Sequence, residues 1–349
     1  RQAQGIGLTT PELAVLLAYT KIMLSAELLE TSLPDDKYVQ RELSAYFPSA
    51  IRERFPDAMT RHPLRREIIT TQLVNKVVNL AGITFYQRLS LETGAPAEEL
   101  VRAHVVAREI FEADRILDEI RKLDNRIDAH VQTRMRREVR TITERASRWF
   151  VHNRRQPLDI AGSVEFFGDG MRALTRALPD VLTGRERTLF EARRDRFLSA
   201  GVPEALANEV SVLAPAYAGL GIAETAVRTG ADIVDVARVH FTLGERLELG
   251  RFLERILALP REDRWQTTAR ATLRDDLHAV HAQLTRNVLA VSPAGADAAE
   301  RVSMWEQRDP KLVARTRATL TEIVENDVAD LARLSVGLRV VRRLLPASS

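Results

Sequence analysis

Apolar residues recur every three or four positions through most of this chain, and this spacing restricts the fold more than any other feature. Such a period places apolar side chains along one face of an α-helix. The longest stripe predicts a single amphipathic helix and consists of Ile127, Val131, Met135, Val139, Ile142, Ala146, Trp149 and Phe150. Only residues 164–167 could form a short strand. The sequence therefore predicts an all-α fold, a multi-helix array of roughly 12–16 helices with no substantial sheet.

A chain of 349 residues is too long for one ordinary hydrophobic core, so we expect two subdomains or one extended helical array. The helical pattern weakens between residues 153 and 170, where helix-breaking residues cluster: Pro157, Gly162, Gly168 and Gly170. We therefore predict a helical subdomain over residues 1–155 and a second one, with long antiparallel helices, over residues 156–349. One of those long helices is expected to run from a cap at Asp232 to Leu257, ahead of a proline.

Composition and charge exclude several classes of function. The chain has no cysteine, which excludes a disulfide scaffold, a thiolate metal site and a cysteine nucleophile, and which is compatible with the cytoplasm. The net charge is +3, but the 51 basic and 48 acidic residues are interspersed. A protein that binds nucleic acid carries its basic residues in a one-signed patch or stripe. We therefore expect no nucleic-acid partner.

The apolar segments do not predict a membrane protein. No uninterrupted apolar run reaches the length of about 20 residues that a helix needs to cross a bilayer. Residues 338–345 form a basic amphipathic tail that could lie on a membrane surface, but packing as the final helix is the favoured interpretation. The chain opens on Arg1 without Met or an apolar signal segment, so we expect it to be part of a longer polypeptide.

Two patterns partly match known ligand sites. Residues 168–173 spell GxGxxA, but a dinucleotide site needs that string between a strand and a helix, so a helix–helix loop is favoured. Asp275, His278 and His281 are three residues apart on one predicted helix and could share a face. No HExxH pair accompanies them, so surface or capping histidines are favoured over a metal site. We assign no catalytic, cofactor-binding or metal-binding residue.

One helix carries uncharged polar residues where charged ones are usual. Thr71, Asn75 and Asn79 are spaced by four residues, with Gln72 beside them, and Ile69, Leu73, Val77 and Leu80 lie on the other side. Solvated helix faces are dominated by lysine, glutamate and arginine, and buried amides need hydrogen-bond partners. The stripe is therefore either a hydrogen-bonded network inside the chain or an interdomain docking surface, and we keep both alternatives.

Several strings resemble those of a known enzyme family. Residues 7–19, GLTTPELAVLLAY, are similar to a GLTRPELAVLLAY stretch of the large bacterial NAD-dependent glutamate dehydrogenases, and residues 64–85 resemble a second stretch. Shorter similar strings occur at residues 124–125, 148–150, 237–239, 243–247 and 334–339. The resemblance covers essentially the whole chain. It points to the C-terminal helical region of the large-subunit class of bacterial NAD-specific glutamate dehydrogenase.

The resemblance implies an activity for the longer polypeptide and a supporting role for this segment. Enzymes of that family convert L-glutamate, NAD and water to 2-oxoglutarate, ammonium and NADH, and their NAD- and substrate-binding parts lie N-terminal to this region. The implied cofactor is NAD for the parent enzyme and none for this segment. The implied partner is the catalytic core of the same polypeptide, within a cytoplasmic homo-oligomer. The segment alone is expected to be inactive, with a structural or regulatory role.

Two alternatives of a different class remain. The chain could be a stand-alone helical scaffold or interaction domain without an enzymatic role, although the resemblance along the whole chain disfavours this. It could also be a helical regulator of transcription, which the mixed charge disfavours.

Overall fold

The computed structural model describes residues 5–325 and 330–346. These residues form nineteen α-helices and one 3₁₀-helix at Leu33–Asp35, and they form no strand. The all-α prediction is confirmed, with more and shorter helices than the predicted 12–16. One reason is a break in the helix expected from Asp232 to Leu257, where Glu248 adopts a left-handed φ of 56°.

The nineteen α-helices of the described residues are numbered in chain order. The first ten are α1 (Thr10–Leu29), α2 (Arg41–Tyr46), α3 (Ser49–Arg54), α4 (Pro56–Thr60), α5 (Arg65–Ala81), α6 (Phe85–Thr93), α7 (Ala97–Ile110), α8 (Ala113–Arg121), α9 (Ala129–Asn153) and α10 (Ile160–Val181). The other nine are α11 (Gly184–Ser199), α12 (Glu204–Ala216), α13 (Gly219–Thr229), α14 (Ile233–Arg246), α15 (Leu249–Leu257), α16 (Arg264–Val291), α17 (Ala298–Glu306), α18 (Pro310–Glu325) and α19 (Leu331–Arg342).

The described residues divide into two compact units that interleave along the chain. The first unit takes the residues up to Asp114 together with Arg140–Phe166, and the second takes Arg115–Val139 together with the residues from Phe167 onward. Helices α9 and α10 therefore each contribute to both units. The contiguous division into residues 1–155 and 156–349 stays a prediction.

Helix α5 lies at the centre of the first unit and packs against α1, α2 and α7. Arg66, at the start of α5, donates a hydrogen bond to the carbonyl oxygen of Leu29 at the end of α1 (2.7 Å). The Thr20 hydroxyl donates to the carbonyl oxygen of Ile83, just after the end of α5 (3.5 Å). Helices α1 and α5 are therefore antiparallel, and α1 passes the end of α5 near its own midpoint.

Helix α16, with 28 residues, organises the second unit. It packs against α13, α14, α15, α17 and α19, and its buried side chains include Leu277, Leu284 and Val288. Residues of the predicted tail pack into the same core, because Leu338, Val341 and Leu344 are buried. The tail is thus the final packed helix, as favoured from its amphipathic pattern.

The GxGxxA string lies within a helix rather than a loop. Residues 168–173 fall in the middle of α10, which continues from Ile160 to Val181 without interruption. A Cβ on Gly170 would lie 3.1 Å from Cδ1 of Ile233, so this glycine lets the Ile233 side chain approach the backbone of α10 closely. The predicted helix–helix loop was wrong at this position, because close packing, not a turn, requires the glycine.

One bent pair of helices passes a test for membrane-spanning length and composition. Across residues 5–325 and 330–346, no single helix is long and apolar enough to cross a bilayer, whereas α12 and α13, which meet at 71°, pass together.

Candidate docking site

The predicted docking residues lie on the side of α5 that faces away from its packing partners. Thr71 and Asn79 are exposed, while Gln72 and Asn75 are half-buried. The buried side of the same helix carries Ile69, Thr70, Leu73, Val74, Val77, Val78 and Ala81. The structure therefore brings the four polar residues together along one helix, next to the core rather than inside it.

None of the four side chains hydrogen-bonds to another residue in the described part of the chain. The internal network that the sequence allowed is therefore not formed among the described residues. Thr71, Gln72, Asn75 and Asn79 keep their donors and acceptors available for water or for another surface. Their role in interdomain docking stays a prediction.

Lys76, which follows Asn75 in the sequence of α5, belongs to a group of paired charges. Lys76 contacts the buried carboxylate of Glu42 (2.7 Å) and lies 3.7 Å from Asp114, which also pairs with Arg108. Burial raises the pKa of Asp114, but the positive charges of Arg108 and Lys76 outweigh this, so the pKa lies below its ordinary value. These charges satisfy each other within the first unit.

A single buried histidine in the first unit has no hydrogen-bond partner. His104 on α7 is fully buried, its ring lies 5.5 Å from that of Phe85, and neither ring nitrogen has a partner among the described residues. Burial, assisted by the charge of Arg108, lowers the pKa of His104 well below its ordinary value. His104 is therefore a neutral core residue. The sequence gives no signal that His104 is buried and neutral, because it is a single histidine without a recognisable motif around it.

Two histidines of the second unit form a stacked pair that sequence reasoning did not foresee. The rings of His240 and His281 stack with centroids 3.5 Å apart, and His281 Nε2 lies 2.9 Å from the carbonyl oxygen of His240. His240 Nδ1 lies 2.9 Å from the hydroxyl of Thr285, which itself donates to the carbonyl oxygen of His281 (2.9 Å). Because both carbonyls only accept, the proton sits on Nδ1 of His240 and on Nε2 of His281.

The surroundings keep both rings neutral. Burial is the main cause that lowers the pKa of His281 to about 4. Burial, together with the nearby His281 and His278, lowers the pKa of His240 well below its ordinary value.

Asp275, His278 and His281, which the sequence spacing places on one helix, do not converge on one point. His278 packs edge-on against Tyr217, and Asp275 pairs with Arg274 at 2.7 Å. Across the residues the structure describes, no group of three His, Cys, Asp or Glu could hold a metal ion.

An unbroken apolar run on α1 is exposed, which sequence reasoning also missed. All seven residues of the segment 13–19, LAVLLAY, are exposed, whereas Leu24 and Leu28 later in the same helix are fully buried. Apolar helix segments normally lie inside a core. We call residues 13–19 the apolar overhang, since they extend past the end of α5.

The described residues define an all-helical protein segment, and the comparisons with known proteins place it in a family. The family model for the C-terminal region of glutamate dehydrogenase matches residues 5–343. The chain belongs to this family.

Three curated relatives are similar along the whole chain. The NAD-specific glutamate dehydrogenase of Pseudomonas aeruginosa is 38% identical over 348 residues, covering 100% of this chain and 22% of the relative. The enzyme of the same name from Mycobacterium tuberculosis is 37% identical, covering 100% of this chain and 21% of the relative. That from Halomonas elongata is 34% identical, covering 100% and 22%. The chain thus spans about a fifth of the length of these relatives.

Proposed function

We propose that this chain is a non-catalytic, structural or regulatory segment of an NAD-dependent glutamate dehydrogenase. The longer polypeptide converts L-glutamate, NAD and water to 2-oxoglutarate, ammonium and NADH, with NAD as its cofactor. The observation that carries the proposal is the similarity of the whole chain to three NAD-specific glutamate dehydrogenases. The described residues also lack the strand–turn–helix unit that binds a dinucleotide pyrophosphate, which supports placing NAD binding elsewhere in the polypeptide.

The test compares the full-length polypeptide with residues 1–349 alone. We expect the full-length protein to reduce NAD in the presence of L-glutamate. We expect the isolated segment to give no heat of binding when titrated with NAD, while circular dichroism shows it to be helical. Saturable micromolar binding of NAD to the isolated segment would contradict the non-catalytic role, and a full-length protein without glutamate-dependent NAD reduction would contradict the parent activity.

The partner of this segment in the proposal is the catalytic core of the same polypeptide, which docks on Thr71, Gln72, Asn75 and Asn79. The support is that these side chains have no hydrogen-bond partner among the described residues, although they lie beside a packed core. Uncharged amides that become buried at an interface need partners there, and each unpaired partner costs about 1–3 kcal/mol.

The double substitution Asn75→Ala with Asn79→Ala tests this docking. We expect the isolated segment to keep its stability and the full-length protein to lose thermal stability or activity. The matched control is Gln283→Ala, an exposed amide on α16, which should change neither protein. A stability loss of more than about 1 kcal/mol in the isolated segment would instead indicate that the stripe supports its own fold.

The cellular location and assembly follow from the same proposal. The parent enzyme is cytoplasmic and forms a homo-oligomer. Cell fractionation tests the location, and light scattering on the purified full-length protein tests the assembly.

A further inference from the structure

The apolar overhang has no polar face. Leucine, alanine, valine and tyrosine fill residues 13–19, and the exposed side chains include Val15 and Tyr19, at 54% and 62% exposure. Seven helical residues rotate through almost two full turns, so apolar groups point in every direction. A helix that is apolar all round belongs inside a protein core or a membrane.

The rest of the first unit buries no residue of this segment, and Leu13, Leu16 and Leu17 keep 36–43% of their surface exposed. The hydrogen bond from Thr20 to Ile83 lies where α1 passes the end of α5, and the buried residues Leu24 and Leu28 follow it. Beyond that point, toward the helix start, every side chain from Leu13 to Tyr19 is exposed. Leu24 and Leu28 therefore anchor the second half of α1 in the core, whereas no residue from Leu13 to Tyr19 is buried.

Local signals keep the overhang helical without a partner. The backbone N–H of Thr9 donates to Glu12 Oε2 at 2.7 Å, and the Thr9 hydroxyl donates to the same oxygen at 2.8 Å. Pro11 occupies the first turn, where its missing N–H costs no hydrogen bond. A helix that is already formed loses little conformational entropy on binding, which favours a role as a preorganised docking element.

We propose that the apolar overhang is the docking element for the part of the same polypeptide that precedes this chain. This inference rests on the proposed function, in which the chain is the C-terminal part of a longer enzyme. The occupant is argued from length and position. The chain matches only 21–22% of the length of its relatives, and the family model is that of the C-terminal region, so these relatives carry most of their length ahead of the region that this chain matches. A covalently linked surface is present at a high effective concentration.

The chemistry of the overhang defines the surface that receives it. Residues 13–19 carry no charge, so the contact is an apolar groove or pocket, and salt should weaken it little. A membrane surface fits less well, because interfacial helices need a polar face that stays in water. A second copy of this chain is the competing occupant, and the experiment separates the two.

The direct test is photo-crosslinking in the full-length polypeptide. Leu16 is replaced by p-benzoylphenylalanine, and protein with natural and heavy-isotope labels is mixed before irradiation, so that mass spectrometry separates crosslinks within one chain from those between chains. We expect Leu16 to crosslink within one chain to the part that precedes residue 5. The control position is Val336 on α19, which is also exposed, at 55% against 42% for Leu16. Crosslinks to the same surface from Val336 would show that the reaction is not specific to the overhang.

A charged substitution supplies a second, independent measurement. In the full-length protein, Leu16→Glu should speed amide hydrogen exchange in residues 13–19 at least tenfold, whereas Val336→Glu should leave those amides unchanged. Crosslinks between chains, crosslinks only within residues 5–346, or an overhang that exchanges freely in the full-length protein would each overturn the proposal. None of these measurements uses enzymatic activity. An overhang that is covered in a protein without glutamate dehydrogenase activity would therefore overturn the proposed function and leave the docking intact.

Discussion

Helices α1 and α19 are both rich in apolar residues, but they differ in how far other residues of this chain bury those side chains. In α19 the apolar residues Leu334, Leu338 and Val341 are three or four positions apart, and all are buried. The arginines between them face outward, and Arg342 pairs with Asp276 at 2.5 Å. In the apolar overhang of α1, apolar residues fill every position and all are exposed.

The difference teaches that the period of apolar residues, rather than their number, decides whether a helix finds its partner nearby. A helix with one apolar stripe needs one neighbour and can leave its polar side in water. A helix without a polar side needs neighbours all round, and the first unit buries only Leu24 and Leu28 of α1. The comparison can be tested by measuring how much substitutions in or beneath each helix lower the free energy of unfolding.

The largest effect is expected beneath α19. Phe252 is fully buried, and a Cβ on Gly337 would lie 2.6 Å from its ring, so the ring fills the space under this helix. We expect Phe252→Ala to lower the free energy of unfolding of the second unit by about 3–5 kcal/mol. Chemical denaturation of the isolated chain, followed by amide exchange in α15 and α19, measures it.

The control for this prediction is Phe55→Ala, because Phe55 is half exposed. It should cost less than about 1 kcal/mol. Equal losses at the two positions would contradict the closed packing of α19.

Acid should lower the stability of the second unit by an intermediate amount. The apolar overhang contains no histidine or acidic residue, so this effect should not arise there. The pKa of His281 is lowered from 6.5 to about 4 in the folded protein. Between pH 6.5 and pH 4, His281 is protonated in the unfolded chain but stays neutral in the folded chain. The free energy of unfolding therefore decreases as pH falls from 6.5 toward 4. We expect a loss of about 2–4 kcal/mol from His281 alone.

Equilibrium denaturation at a series of pH values measures this loss. The variant His281→Gln keeps a donor for the carbonyl of His240 but cannot take up the proton. Its stability should therefore fall less steeply over the same pH range. An unchanged slope in this variant would show that His281 is not the group responsible.

The smallest effect is expected in the overhang, from the same kind of substitution that should be costly in α19. Leu16→Ala in the isolated chain should change the free energy of unfolding by less than about 0.5 kcal/mol, because the side chain is exposed and alanine favours a helix. Leu338→Ala, at a buried position, should cost about 2–5 kcal/mol. A loss of more than about 1.5 kcal/mol at Leu16 would mean that this chain itself covers the overhang.

The parts of the fold that depend on near neighbours in sequence could be predicted. Met135, Val139 and Phe150 follow the apolar period of α9 and are buried, because a stripe needs only residues three or four apart. Trp149, expected on the same stripe, is only half-buried. Trp149 follows the same period as the buried residues, so the period alone does not decide its burial.

The parts that depend on distant residues could not be predicted. His240 and His281 are 41 residues apart on separate helices, and their pairing leaves no local pattern. The polar residues on α5 were recognisable as an unusual stripe, but the sequence did not decide between an internal network and a docking surface. The overhang was recognisable only as apolar, which predicts burial without saying against what.

The stacked histidine pair has a consequence for how the second unit opens. Neither ring can turn alone, because each lies 3.5 Å from the other and each donates a hydrogen bond of fixed direction, one to Thr285 and one to the backbone of α14. Turning one ring breaks the bond of that ring and disturbs the stack that holds the other. We therefore expect helices α14 and α16 to open together, with the amides near these rings exchanging with solvent at a common rate.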